Sequence, residues 1–136
     1  MDNKELSYRF KRLYGGYSTI EEFGNEIILL YFFTSYCITC IMDINFIEKN
    51  EKFFQENRIS IIGIGMDYNK EATLGPFVTY NNIKFPVMIA DENIINGDWS
   101  FGKITMVPSS ILINKRERRY YVHTGNLSRE ILMKIK

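Results

Sequence analysis

The chain has 136 residues, of which 46% are hydrophobic and 24% charged. That is enough to bury one core without disulfides or metal, and too apolar for general disorder. The 17 Lys and Arg against 16 Asp and Glu leave a net charge of +1. No global field therefore favours nucleic acid or an anionic membrane surface.

Residues 1–26 are mixed in character, with a turn expected at Gly15-Gly16. Met1–Phe10 lacks the apolar centre of a signal peptide, so the chain is either cytosolic or has lost an export signal. Ile27–Phe33 is uniformly apolar, β-branched and aromatic, which predicts a strand buried on both faces. As the longest apolar run, it falls far short of the roughly 20 residues of a membrane-spanning helix.

From Cys37 to about Gln55 the period changes. Cys40, Ile44, Ile47 and Phe54 share one helical stripe, with charged residues between them. Ile59–Ile64 predicts a second buried strand, so strand, helix and strand imply a right-handed parallel crossover. A weaker helix is expected within 69–82. Pro76 is placed in its first turn, which puts the helix start near Gly75. Phe85–Ala90 predicts a short strand, and 91–102 a loop with one helical turn. Ile111–Asn114 and Tyr120–Thr124 are too close for a crossover and predict an antiparallel hairpin. Ser128 is the expected N-cap of a final helix over 129–136. No repeat, low-complexity tract or linker interrupts the sequence, so a single domain over 1–136 is expected: α/β, with a mixed central sheet flanked by helices.

The chemistry concentrates at Cys37-Ile38-Thr39-Cys40, the only two cysteines of the chain. A spacing of three on a helix brings both sulfurs to one face. The helix N-terminus favours a thiolate at Cys37, the attacking sulfur, while Cys40 lies inside the first turn as the resolving one. Two other readings stand beside this one. The pair could be inert small hydrophobes, or half of a metal site shared between two chains. With His123 the only histidine, no four-ligand site of the usual kind can be built within the chain, and no metal or cofactor is expected.

These residues resemble the thioredoxin superfamily, most closely its TlpA/ResA-like branch of thiol-disulfide oxidoreductases. The similarity runs through Thr19–Phe33, the loop Thr34–Cys40, Ile61–Asp67 with Phe85-Pro86-Val87, and Met106–Ile113. The resemblance implies a thioredoxin-like fold with a TlpA-type β-α insertion and a cis Val107-Pro108 bond facing the cysteines. It further implies that Val107 and Pro108 grip an extended substrate beside Tyr36. Partners would be protein thiols and disulfides, as in cytochrome c maturation, fed by a membrane electron donor. An extracytoplasmic location and a monomer are expected.

Several residues depart from that pattern. Tyr36 stands where Trp is usual, and Ile38-Thr39 where Pro is often second. Tyr31 occupies a strand position that often holds an acidic or amide side chain, so no buried carboxylate is expected there to take the Cys40 proton. Asp43 matches a common acidic position but is expected on a solvated helix face. Asn45 replaces a kinking proline and predicts a straighter helix. Thr34-x-x-Cys37 is similar to part of the peroxiredoxin motif, which keeps a thiol peroxidase as an alternative. A thioredoxin-fold binding module with vestigial cysteines is another. Trp99 and Phe101 are expected over the loop before Pro108. Lys115–Arg119 is read as a solvated turn, and His123 as a structural residue.

Overall fold

The computed structural model describes residues 1–136. Its centre is strand β3 (Ile27–Phe33), in which every residue is buried. β3 pairs in parallel with β4 (Ile59–Gly65) on one side and antiparallel with β6 (Ser109–Asn114) on the other. A strand between two neighbours, covered on both faces, has no solvent-facing position, which explains a sequence apolar but for the Tyr31 hydroxyl.

Around it forms a seven-stranded mixed sheet in the order β2-β1-β5-β4-β3-β6-β7. β5 (Val87–Ile89) extends the parallel part, and β7 (Arg119–Thr124) closes the expected hairpin with β6. The far edge is a small hairpin of β1 (Phe10–Arg12) and β2 (Tyr17–Ser18), turning at Gly15 and Gly16 with φ of 106° and 79°. The positive φ at both positions is what requires glycine there.

Alternate residues of β3 face two separate cores. Leu29, Tyr31 and Phe33 point toward helices α2 (Ile38–Lys49), α3 (Glu51–Glu56), α4 (Glu71–Tyr80) and α6 (Arg129–Met133). Ile28, Leu30 and Phe32 point toward α1 (Asn3–Leu6), α5 (Glu92–Asn96) and the 97–108 loop. The unit α4-β5 is the expected insertion; it places β5 between β4 and the N-terminal hairpin. No helix is long and apolar enough to cross a membrane.

Two local expectations are corrected. The helix after Cys37 is not continuous to Gln55: it breaks at Asn50, whose side-chain amide bonds back to the Phe46 carbonyl and so competes with the helical ladder. It does run unbroken through Asn45. α4 starts at Glu71, not near Gly75, and carries Pro76 in its interior. Burial of Leu74 and Val78 on one stripe outweighs the backbone bond that Pro76 cannot make. Trp99 packs edge-on against Tyr8, Phe10, Phe32 and Phe101, on the sheet face away from α2, and donates its indole N–H to the Gly102 carbonyl in the loop before Pro108.

Candidate active site

β3 delivers the chain into Thr34-Ser35-Tyr36, and a tight turn (Cys37 N–H to Thr34 O, 3.3 Å) sets Cys37 as the N-cap of α2. Its sulfur accepts the Cys40 N–H at 3.1 Å, a donor in the first turn of the helix that also reaches the Cys37 carbonyl at 3.2 Å. Cys37 and Cys40 are joined as a disulfide with Cα atoms 5.3 Å apart. Cys37 is half-buried, whereas Cys40 is fully buried in the core that α2 covers. A partner can therefore reach only the first sulfur.

Pro108 enters β6 directly, and the register pairing Phe32 with Ser109 sets the Val107-Pro108 bond, which is cis, beside the end of β3 where the chain turns toward Cys37. Val107 is half-buried against both cores, and neither its N–H nor its carbonyl is taken by a backbone partner. Tyr36 is 71% exposed, so most of its ring stands in solvent beside the disulfide loop. Thr39 Oγ1 lies 3.5 Å from Cys37 Sγ, while the Thr34 hydroxyl is buried with no partner. The Thr-to-Cys contact of a peroxidatic site is thus absent from this arrangement.

Asp43 overturns the expectation of a solvated face. It is 1% exposed, one turn beyond Cys40. Its Oδ2 accepts the Tyr31 hydroxyl at 2.7 Å and its Oδ1 accepts the Leu127 N–H at 2.8 Å. The Tyr31 hydroxyl also lies 3.5 Å from the Cys40 carbonyl oxygen. Burial, and then the neighbouring Asp43 charge, hold the Tyr31 phenol well above its ordinary pKa. One turn after Cys40 there is thus a buried carboxylate after all, supplied by the helix, with Tyr31 as its donor.

The loop after β7 ties these parts together. Gly125 N–H donates to the Pro108 carbonyl at 2.9 Å, and the Asn126 amide donates to the Thr39 carbonyl at 3.0 Å. His123 touches the Asn126 carbonyl at 2.9 Å and serves this loop, consistent with a structural role.

Asp67 is a further buried polar residue of the site, and no motif marks it. It lies 3% exposed just past β4, and accepts hydrogen bonds from the Ser35 N–H, the Ser35 hydroxyl and the Thr73 hydroxyl. The available signal was an acidic residue directly after a strand with both faces covered, where a lone carboxylate needs dedicated donors.

A groove of about 260 Å³, lined by Ile44, Ile47, Phe54, Ile59 and Phe85 among others, does not include either cysteine. The chemistry sits on the surface at the helix start instead.

No protein-family model matches the chain. It is 26% identical over 128 residues to the thiol-disulfide oxidoreductase ResA of Halalkalibacterium halodurans, an alignment spanning 93% of this chain and 70% of that protein. A thioredoxin-family thiol:disulfide interchange protein of Chlorobium tepidum superposes with a TM-score of 0.75 at 20% identity, covering 97% of this chain and 94% of the other. StoA from Bacillus subtilis superposes with a TM-score of 0.70 at 16% identity, covering 92% of each. With a mixed sheet extended by α4-β5 and a CxxC disulfide capping the helix that follows the central strand, this chain has a thioredoxin-like fold and is similar in sequence to the thiol-disulfide oxidoreductase ResA.

Proposed function

We propose that this protein is a thiol-disulfide oxidoreductase that reduces disulfides of protein partners. The observation that carries the reading is the unequal exposure of one closed pair: Cys37 is reachable at the helix N-terminus and Cys40 is fully buried behind it.

In the reduced protein the Cys37 thiolate attacks one sulfur of the partner disulfide, forming a mixed disulfide and releasing the partner's first thiolate. Cys40 then gives up its proton, and Asp43 is the buried acceptor nearest in the chain. The Cys40 thiolate attacks Cys37 Sγ, the mixed disulfide breaks, and the partner's second thiolate leaves. The partner gains two electrons and the pair loses two, so a reductant must regenerate the dithiol. Family resemblance supports a membrane electron donor for that step, an extracytoplasmic location, and apocytochrome cysteines among the substrates.

Val107 would hold the partner as an added strand through its free N–H and carbonyl, with Pro108 shaping the loop and exposed Tyr36 as a flanking contact. The protein acts as a monomer in this reading.

Reduction of a test protein disulfide by the reduced protein, compared with Cys37→Ser, tests the function. Loss of reduction in the variant supports it; unchanged reduction refutes it. Rapid consumption of hydrogen peroxide by the reduced protein would instead favour the peroxidase alternative. A Cys37 that alkylates no faster than an ordinary thiol would favour a vestigial pair.

A further inference from the structure

We infer that Asp67 is a positioning residue for the nucleophile, and that through it the inserted helix α4 sets the reactivity of Cys37. The inference rests on the oxidoreductase reading. Asp67 has no part in the chemistry as written and touches neither sulfur. Three hydrogen bonds converge on its carboxylate. Oδ1 accepts the Ser35 N–H at 2.8 Å, and Oδ2 accepts the Ser35 and Thr73 hydroxyls at 2.5 Å each. No Lys or Arg pairs with it; the nearby Lys70 is bridged to Glu92.

A carboxylate only 3% exposed with only neutral donors is costly to keep, unless all three bonds are held in place. What they hold is specific. Ser35 is the second residue of the turn that closes from the Thr34 carbonyl to the Cys37 N–H. Asp67 grips it by backbone and side chain at once, which fixes the path into Cys37 and the placement of its sulfur over the Cys40 N–H. The third donor, Thr73, comes from the opening turns of α4, where Leu74 is fully buried against Gly65. Met66 N–H to the Phe33 carbonyl, at 2.8 Å, couples the same two chain segments through the backbone. The insertion is thus anchored to the active-site turn through one shared carboxylate.

The test is the rate at which iodoacetamide alkylates Cys37 in the reduced, full-length protein at fixed pH, measured well below the melting temperature of each variant. Asp67→Ala should slow it about tenfold, since a loosened turn takes the Cys37 sulfur off the Cys40 N–H and the helix start that favour its thiolate. Asp67→Asn should recover to within about twofold of wild type. Its oxygen can still accept the Ser35 N–H, and its amide can donate to the two hydroxyls, which reverse roles. Thr73→Val should slow alkylation about threefold by freeing the α4 side of the clamp and so loosening the turn that seats Cys37.

A folded Asp67→Ala protein alkylating at the wild-type rate overturns the inference, as does Asp67→Asn as slow as Asp67→Ala. Thr73→Val at the wild-type rate overturns the coupling to α4. If Asp67→Ala does not fold, Ser35→Ala takes its place, with slowing expected and an unchanged rate overturning the clamp. A wild-type Cys37 no faster than free cysteine would overturn the oxidoreductase reading itself, which is a separate outcome.

Discussion

Tyr31 and Asp43 meet across the interface of β3 and α2 with Oη 2.7 Å from Oδ2, and neither side chain is more than 1% exposed. Each explains the other. A phenol in the middle of a buried strand needs an acceptor, and a carboxylate inside a helix-sheet interface needs donors. Leu127 N–H supplies the second donor and brings the chain after β7 against the same helix.

Removing the carboxylate should therefore cost more than its contacts suggest. Asp43→Ala leaves the Leu127 N–H buried without a partner and the Tyr31 hydroxyl with only the long 3.5 Å contact to the Cys40 carbonyl, and about 2–4 kcal/mol of stability should be lost. Asp43→Asn keeps one oxygen acceptor and should lose roughly half as much. Urea denaturation of the oxidised proteins measures both, and equal stability of Asp43→Ala and wild type would refute the network.

The raised Tyr31 phenol gives a pH dependence with a definite sign. The folded chain holds the proton more tightly than the unfolded one, whose tyrosines titrate near the ordinary 10.0. The stability that Tyr31 contributes is intact below about pH 10 and drains as pH rises further, by at most about 1.4 kcal/mol per pH unit. Wild type should thus lose more stability between pH 9 and pH 11 than Tyr31→Phe does. Parallel losses in chemical denaturation at the two pH values would contradict this.

These same two residues mark where the sequence stopped being informative. Ile27–Phe33 announced its own burial because every side chain but one is apolar, and Cys37 announced a helix start because the period changes there. Asp43 was misjudged because a helix pattern ranks positions by hydropathy, and a charged residue is normally a solvated one. What reverses that is a donor twelve residues earlier and another far beyond it, and no local pattern carries either. The β1–β2 hairpin escaped for a different reason. Its strands are very short and include Lys11 and Arg12, so only pairing with β5 defines them. Asp67 escaped because its partners Ser35 and Thr73 are brought to it by the β3–β4 register and by the start of α4.

Gly65 tests how α4 seats on the sheet. A Cβ there would stand 2.5 Å from both Leu74 methyl carbons, and Leu74 is fully buried with little room to turn. Gly65→Ala should cost about 1–3 kcal/mol as an overpacked core. A shortened side chain at the same contact should restore part of it, so Gly65→Ala with Leu74→Val should be more stable than Gly65→Ala alone. If the double variant is the less stable of the two by thermal unfolding, the clash is not the cause.

The two sulfurs should differ in reach as much as in role. In the reduced, folded protein, half-buried Cys37 should take up an alkylating reagent while Cys40, with no exposed surface, should not. Intact mass should therefore show a single adduct until denaturant is added, with peptide mapping placing it on Cys37. The same asymmetry predicts the fate of a trapped intermediate. In Cys40→Ser the mixed disulfide forms at Cys37 and has no second thiol to release it, so it should accumulate with a protein substrate and disappear on adding an external thiol. In Cys37→Ser the remaining thiol is buried beneath the first turn of α2, and no mixed disulfide should form under native conditions. Comparable adducts in the two single variants would mean that Cys40 is reachable, and the division between attacking and resolving sulfur would fail.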